Sequence, residues 1–364
     1  MLTSSINMHD SRADLIRNAS IITWDEAPMT NKAVLACMEE VCRNVTHTTA
    51  PFGGKVVILL GDFRQTCPVV RKGSKQDTID ACIKSSPLWP LFTIETLNTP
   101  IRNTSDPEYA AFLTHIGDGT TTTVNLDMLR NVSTEEELIS SVFPNDILHI
   151  PETCLTRAIL APTNKQVDHY NHLIYNMLAN DSRTYLATDS LKEAADADIM
   201  PPTPILDYIT THSPPGLPPP TLQVKVGAMY RILRNFSIER GLVKNARVLV
   251  TRLGTRLIGI RLLNNDGPSG EEILLPRITF TAALPSHHTL LRKQFPIALA
   301  YAASFHSCQG LTLTRVGLEL NIPCFTHGQL YTALSRVRKR SDITIKLPIN
   351  TTTTPNVTYS EILI

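Results

Sequence analysis

Two short apolar runs, Ile21-Ile22-Thr23-Trp24-Asp25-Glu26 and Val56-Val57-Ile58-Leu59-Leu60-Gly61-Asp62, decide the fold class. Each is too short for a helix, and each ends in acidic groups. That is the pattern of a short buried strand delivering polar side chains to its C-terminal tip. Between them, Thr30 is placed to cap a helix in which Val34, Met38, Val41 and Cys42 share one face. Strand, helix, strand with polar strand ends is the grammar of a parallel α/β sheet, whose ligands gather at those ends. Working outward, the pattern predicts a strand at Ala158–Leu160 and a helix from Asn164. Eight prolines between Pro201 and Pro220 predict a linker or extended strap. Leu222–Phe280, rich in Val, Leu, Ile and Arg with turns at Gly254, 264–267 and Gly270, reads as a small twisted β-module nested in the α/β part. From Phe295 the α/β pattern resumes, with a strand at Arg315–Leu320 and a helix near Gln329–Lys339. The threonine tracts at 120–123 and 351–354 read as loops.

The chain has 364 residues, 42% hydrophobic and 18% charged, which excludes wholesale disorder. Its formal net charge of +1 hides an asymmetry. From Thr221 to Ile364 there are 18 Lys/Arg and 7 Asp/Glu; the rest holds 16 basic and 26 acidic residues. A basic C-terminal part points to a polyanionic partner, although separately folded pieces can also differ in surface charge. The seven cysteines include no C-x-x-C pair, which argues against a disulfide framework and a zinc module. No apolar run approaches a membrane span, and the first residues lack signal-peptide order, so a soluble intracellular protein is expected.

Four stretches carry chemistry. Asp25 and Glu26 have the form of a Walker B strand end. The first acid can hold Mg²⁺ through water, and the second can orient or deprotonate an attacking water. Gly61-Asp62-Phe63-Arg64-Gln65 offers Asp, Arg and Gln together at the second strand tip. The Gln65 amide there can read a γ-phosphate oxygen or the attacking water. Gln329 to Val337 reads as a helix burying Leu330, Ala333, Leu334 and Val337, with Arg336 on the flank of that face. A guanidinium so placed suits an arginine finger, whereas Arg338, Lys339 and Arg340 read as solvated. His306-Ser307-Cys308-Gln309-Gly310-Leu311-Thr312 reads as a tight turn with small hydroxyls and exposed N–H groups suited to a phosphodiester. Read alone, His306 can equally be a satisfied core residue.

These stretches, in this order, resemble the Pif-type (petite integration frequency) DNA helicases, most of all the branch associated with Helitron-like transposons. The likeness runs through Trp24–Met29, Pro51–Val57, Gly61–Gln65, Gly227, Leu242, Asn245, Pro276–Ile278, Gln309–Leu313 and Tyr331–Val337. It implies two RecA-like domains with ATP between them, single-stranded DNA across their top, and 5′-to-3′ unwinding. An SH3-like module inserted in the second domain is also implied. On this basis residues 1–103 form part of a first RecA-like domain. Residues 104–221 and 281–364 form the second, and 222–280 the inserted module. The resemblance further implies that Asp25, Glu26, Gln65, Arg102 and Arg336 serve ATP hydrolysis, with Asp25 the Mg²⁺ ligand. Asp62, Arg64, Gln309 and Gly310 fall on the nucleotide side, and His306, Ser307 and Thr312 on the DNA side. The implied partners are single-stranded DNA and a duplex or fork, bound by a monomer. The implied setting is DNA repair, recombination, telomere maintenance or transposition, in the nucleus rather than the mitochondrion.

Departures from the family pattern bear on activity. Nothing in the chain fits G-x-x-x-x-G-K-[ST]. Gly53-Gly54-Lys55 is a decoy, because Val56 stands where Ser or Thr must bind Mg²⁺, and a strand follows rather than a helix. Ser307-Cys308 and Pro100-Ile101 also depart from the usual residues. The expectation is therefore a truncated copy that does not hydrolyse ATP alone. Its exposed apolar edge would leave residues 1–103 the less stable part. A non-catalytic nucleic-acid-binding remnant is the competing reading, and a AAA+ remodeller a third, disfavoured by the Tyr331–Val337 string and the nested β-module.

Overall fold

The computed structural model describes residues 2–97, 99, 101–192, 216–264, 267–284 and 289–363. Most of the expected strap, residues 201–215, lies outside the described residues. The chain divides into two compact units, residues 1–133 with 304–364, and residues 134–303. No helix among the described residues is long and apolar enough to cross a membrane.

In the first unit, α1 (Ser11–Asn18) leads into β1 (Ile21–Trp24), followed by α2 (Lys32–Thr46) and β2 (Val56–Leu59). The two strands pair in parallel, Ile21 opposite Val56 and Trp24 opposite Leu59, as the strand–helix–strand pattern requires. Three local expectations are corrected. The cap of α2 is Asn31, whose side chain accepts from Ala33 N, while Thr30 ends the 3₁₀ turn before it. The buried face of α2 is Leu35, Glu39, Cys42 and Val45, a helical ladder that leaves Val34 outside. Nor are the strands buried on both sides. Trp24, Val57 and Leu59 pack with Ala27, Leu35 and Phe52, but Ile21 and Val56, 56% and 57% exposed, share an open apolar face with Ile58 and Leu60.

The Pro51–Gly54 turn serves packing. A Cβ on Gly53 would lie 2.6 Å from Cys42 O, and Lys55 Nζ donates to the carbonyls of Arg17 and Ala19 at the end of α1. Lys55 is thus a helix C-cap, as its exclusion from a phosphate loop requires. Elsewhere in this unit Arg315–Glu319, Ile343–Lys346 and Arg130–Asn131 run in parallel, in that spatial order. The threonine tracts are loops over 120–122 and 351–352, as expected, but Thr123, Thr353 and Thr354 at their ends enter an antiparallel pair of Thr123–Asn125 with Thr353–Pro355. β-Branched side chains suit that extended pairing.

In the second unit, strand Arg157–Ala161 feeds helix Asn164–Met177, which is capped by the Thr163 side chain. The expected β-module is there as an antiparallel sheet ordered Gly267–Pro276, Leu257–Asn264, Arg247–Leu253, Met229–Ile232, Ile297–Leu299. A further antiparallel sheet joins Ile278–Ala283, Thr289–Gln294 and Thr188–Lys192, so module strands come from beyond residues 222–280. It encloses a buried ion pair, Arg292 to Asp189 at 2.7 Å.

Candidate nucleotide and nucleic-acid site

All the proposed site residues fall in the first unit, and Asp25, Glu26, Asp62, Arg64 and Gln65 follow the C-terminal ends of β1 and β2. Leu60 N donates to Trp24 O, and Ala27 N to Leu60 O, so the two strand ends are locked together. Asp25 is exposed and its Oδ1 accepts from Glu26 N at 2.8 Å. Glu26 takes a left-handed backbone, φ 53°, uncommon for a residue with a side chain and a mark of a functional turn. That geometry turns its carboxylate toward Gln309, whose Nε2 donates to Glu26 Oε2 at 2.6 Å. Gln309 Oε1 in turn accepts from Thr66 Oγ1 at 2.8 Å, and Thr66 N donates to Thr332 Oγ1 at 3.0 Å.

The loop after β2 is held by its own charges and by the segment beginning at His327. Asp62 accepts from Arg64 N through one oxygen and from the Tyr331 hydroxyl, at 2.8 Å, through the other. Burial and the Asp62 carboxylate raise the Tyr331 pKa, so the phenol remains a donor. Arg64 pairs with Asp118 at 2.7 Å. The fully buried His327 bonds Phe63 O through Nε2 and accepts Tyr359 N through Nδ1. Gly328, φ 69°, lies so close that a Cβ would be 2.5 Å from Arg64 O and Gln65 O. Gln65 itself has a buried Oε1 that accepts no hydrogen bond from the described residues.

Arg336 is placed differently from the expectation. The helix is only Gln329–Leu334, and Arg336, 2% exposed, lies beyond its end. Its Nε donates to Thr332 O at 2.8 Å, Nη2 to Ser335 Oγ at 2.8 Å, and Nη1 to Leu311 O at 3.3 Å. It is an internal tie, because the turn at Ser335 carries the side chain inward. Arg338 and Lys339 are exposed as expected, while the half-buried Arg340 pairs with Glu108 at 2.6 Å. Arg102 Nη1 donates to Ser335 O at 2.9 Å. Burial, then the Arg336 guanidinium, lower the Arg102 pKa, and Glu26 weakly opposes them. Arg102, Arg336 and Glu26 therefore share one electrostatic neighbourhood.

The turn at 304–311 is closed by Ser307 N and Cys308 N on Ser304 O, and by Leu311 N on Cys308 O. Gly310, φ 79°, supplies its left-handed step with open space about it. Ser307 and Thr312 are exposed, and Ser307 Oγ bonds Ser304 Oγ at 2.8 Å. His306 is half-buried, and burial lowers its pKa. Thr66, Thr332, His327, Gly328 and Tyr331 were not singled out by site chemistry. Their partners lie far along the chain, and only Tyr331 and Thr332 fell within a recognised string.

Acidic strand ends, a glutamine-bearing loop and internal arginines thus lie on one α/β unit. The sequence profile of the PIF1-like helicase family matches residues 1–127. The ATP-dependent DNA helicase PIF1 of Danio rerio is 27% identical over 314 residues, covering 86% of this chain and 44% of that protein. The Homo sapiens protein of the same name is 27% identical over 326 residues, 88% of this chain and 45% of its own length. Among solved structures, Bacteroides Pif1 with ADP-AlF3 and single-stranded DNA superposes at TM-score 0.69 with 22% identity, over 99% of this chain and 76% of that one. Candida albicans Pif1 superposes at 0.65 with 22% identity, over 96% and 77%. The profile match is confined to residues 1–127, and the chain spans less than half the length of these curated relatives.

Proposed function

We propose that this chain is the motor portion of an ATP-dependent DNA helicase that unwinds duplexes 5′ to 3′ on single-stranded DNA, in repair, recombination or transposition. The observation that carries it is the 2.6 Å bond from Gln309 to Glu26, which joins the hydrolytic acid to the nucleic-acid turn. Glu26 acts as the acceptor for the attacking water's proton. Gln65, with its open buried Oε1, holds that water. Among the described residues no group of three or more His, Cys, Asp and Glu can hold a metal, so Asp25 offers a single exposed carboxylate. One carboxylate suits Mg²⁺, which takes its remaining ligands from phosphates and water. Asp25 would hold it, and its chemistry there would be charge neutralisation at the phosphates. Arg102, whose Nη1 donates to Ser335 O, faces the same neighbourhood.

The test is strand displacement by a polypeptide in which these 364 residues follow the phosphate-binding-loop segment of a Pif1 relative. Unwinding of 5′-tailed but not 3′-tailed duplexes is expected. Displacement from 3′ tails alone would refute the direction, and none from either would refute the motor assignment. The 364 residues alone contain no G-x-x-x-x-G-K-[ST], and they are expected to turn over no ATP.

Binding has its own signature. Residues 221–303 hold 12 Lys/Arg and 4 Asp/Glu, most of the basic excess of the C-terminal part. Affinity of the whole chain for an oligothymidine is expected to fall by roughly 10³-fold or more between about 50 and 200 mM salt. A flat salt dependence, measured by anisotropy, would remove the basic segment from the interface. The measurement uses the intact chain because residues 304–364 fold with 1–133, so a piece starting at Thr221 would cut a compact unit.

A further inference from the structure

The family pattern assigns no role to Thr66. It is fully buried, follows the glutamine of the β2 loop, and is the hinge of a hydrogen-bond chain that ends on Glu26. We infer that Thr66 and Gln309 are positioning residues for ATP hydrolysis: the Thr66 hydroxyl fixes which end of the Gln309 carboxamide faces Glu26, and the amide then fixes the Glu26 carboxylate. This rests on the reading of Glu26 as the water-activating acid.

A primary carboxamide has a donor end and an acceptor end of nearly the same shape, so packing alone does not orient it. Here both ends are specified. Thr66 Oγ1 donates at 2.8 Å to Gln309 Oε1, which leaves Nε2 as the end that meets Glu26 Oε2 at 2.6 Å. The flipped amide would set its oxygen against the carboxylate, two acceptors in contact with no proton between them. The hydroxyl is itself held. Thr66 N donates to Thr332 Oγ1, and Thr332 O accepts from Arg336 Nε. Arg336 also donates to Leu311 O, just past Gln309. The chain from Glu26 through Gln309, Thr66, Thr332 and Arg336 therefore returns to the turn that carries Gln309.

One consequence is chemical. With Oε2 occupied by Gln309, Glu26 Oε1 is the oxygen left to meet water, and its direction is set by the relay. A second is mechanical. Gln309 sits between exposed Ser307 and Gly310, so a nucleic acid that moves this turn must move the Glu26 carboxylate with it.

Two measurements test the inference. In the 364-residue chain, the side-chain amide protons of Gln309, identified in NMR spectra by their loss in Gln309→Ala, are expected to exchange slowly with solvent. Thr66→Val should speed that exchange roughly tenfold or more, since an unheld amide rotates, while Thr66→Ser should keep it slow. In the polypeptide joined to a phosphate-binding loop, Thr66→Val should lower kcat for ATP about tenfold with KM within about twofold, and Thr66→Ser should restore it. A residue that only supported the fold would not separate kcat from KM or be rescued by serine alone. Glu26→Gln is measured alongside. If it retains turnover, the reading of Glu26 falls, and this inference with it. If Glu26→Gln is inactive but Thr66→Val matches the parent in kcat, or keeps Gln309 exchange slow, the relay alone is overturned.

Discussion

Glu26→Gln is expected to reduce ATP turnover by a factor of roughly 10²–10⁴ in a polypeptide where these residues follow a phosphate-binding loop. The change is nearly isosteric, so the fold should be unaffected. It removes the group that can take a proton from water, and it sets an amide against the Gln309 amide, which donates to Glu26 at 2.6 Å. Asp25 and Gln65 remain, so nucleotide affinity should change little and the loss should fall on kcat. Binding of a fluorescent ATP analogue and steady-state turnover, measured on the same preparation, separate the two. Turnover within about threefold of the parent would mean that another group accepts the proton, since a lost general base costs far more.

Arg336→Ala is expected to destabilise the chain by about 3 kcal/mol or more, because it deletes a buried guanidinium and the hydrogen bonds it donates. The side chain is 2% exposed and bonds Thr332 O, Leu311 O and Ser335 Oγ. Thr332 O keeps the Ser335 hydroxyl as a donor, whereas the half-buried Leu311 O loses the Arg336 bond. The melting temperature should drop by roughly 10 °C. Arg336→Lys should recover only part of the loss, because an ammonium cannot span three separated acceptors as a planar fork does. A melting temperature within about a degree of the parent would show that the surrounding backbone relaxes to satisfy itself. A fall in ATP turnover in this variant is therefore no measure of a finger role unless the folded fraction is measured too.

What was legible in the sequence was whatever had a local period or a local string. The two apolar runs gave β1 and β2, their parallel pairing and the acids at their tips, because strand length and end chemistry are written in adjacent residues. The antiparallel module followed from alternating Val, Leu and Ile between turn residues. What was not legible depended on partners distant in the chain. Arg336 reads as a flank residue on an extended helix. It is buried because the helix stops at Leu334, and nothing nearby announces that stop. The threonine tracts read as loops because each lacks an apolar face of its own; only their ends, Thr123 and Thr353–Thr354, enter a strand pair, opposite Pro355, Asn125 and Val124. The relay from Thr66 to Gln309 joins residues 243 apart, and no spacing rule reaches that far.

The first unit is made from both arms of the chain, with the 170 residues Thr134–Ala303 intervening. During synthesis, residues 1–133 therefore leave the ribosome roughly 10–30 s before residues 304–364 can join them, at about 5–20 residues per second. Throughout that interval the Phe63–Gln65 loop lacks His327 and Gly328, and Glu26 lacks Gln309. Ile21, Val56, Ile58 and Leu60 are exposed in the folded first unit, and in the nascent chain their face has still less around it. The second unit, continuous in sequence, can finish first. This order of assembly makes the early arm a natural client for a holdase chaperone.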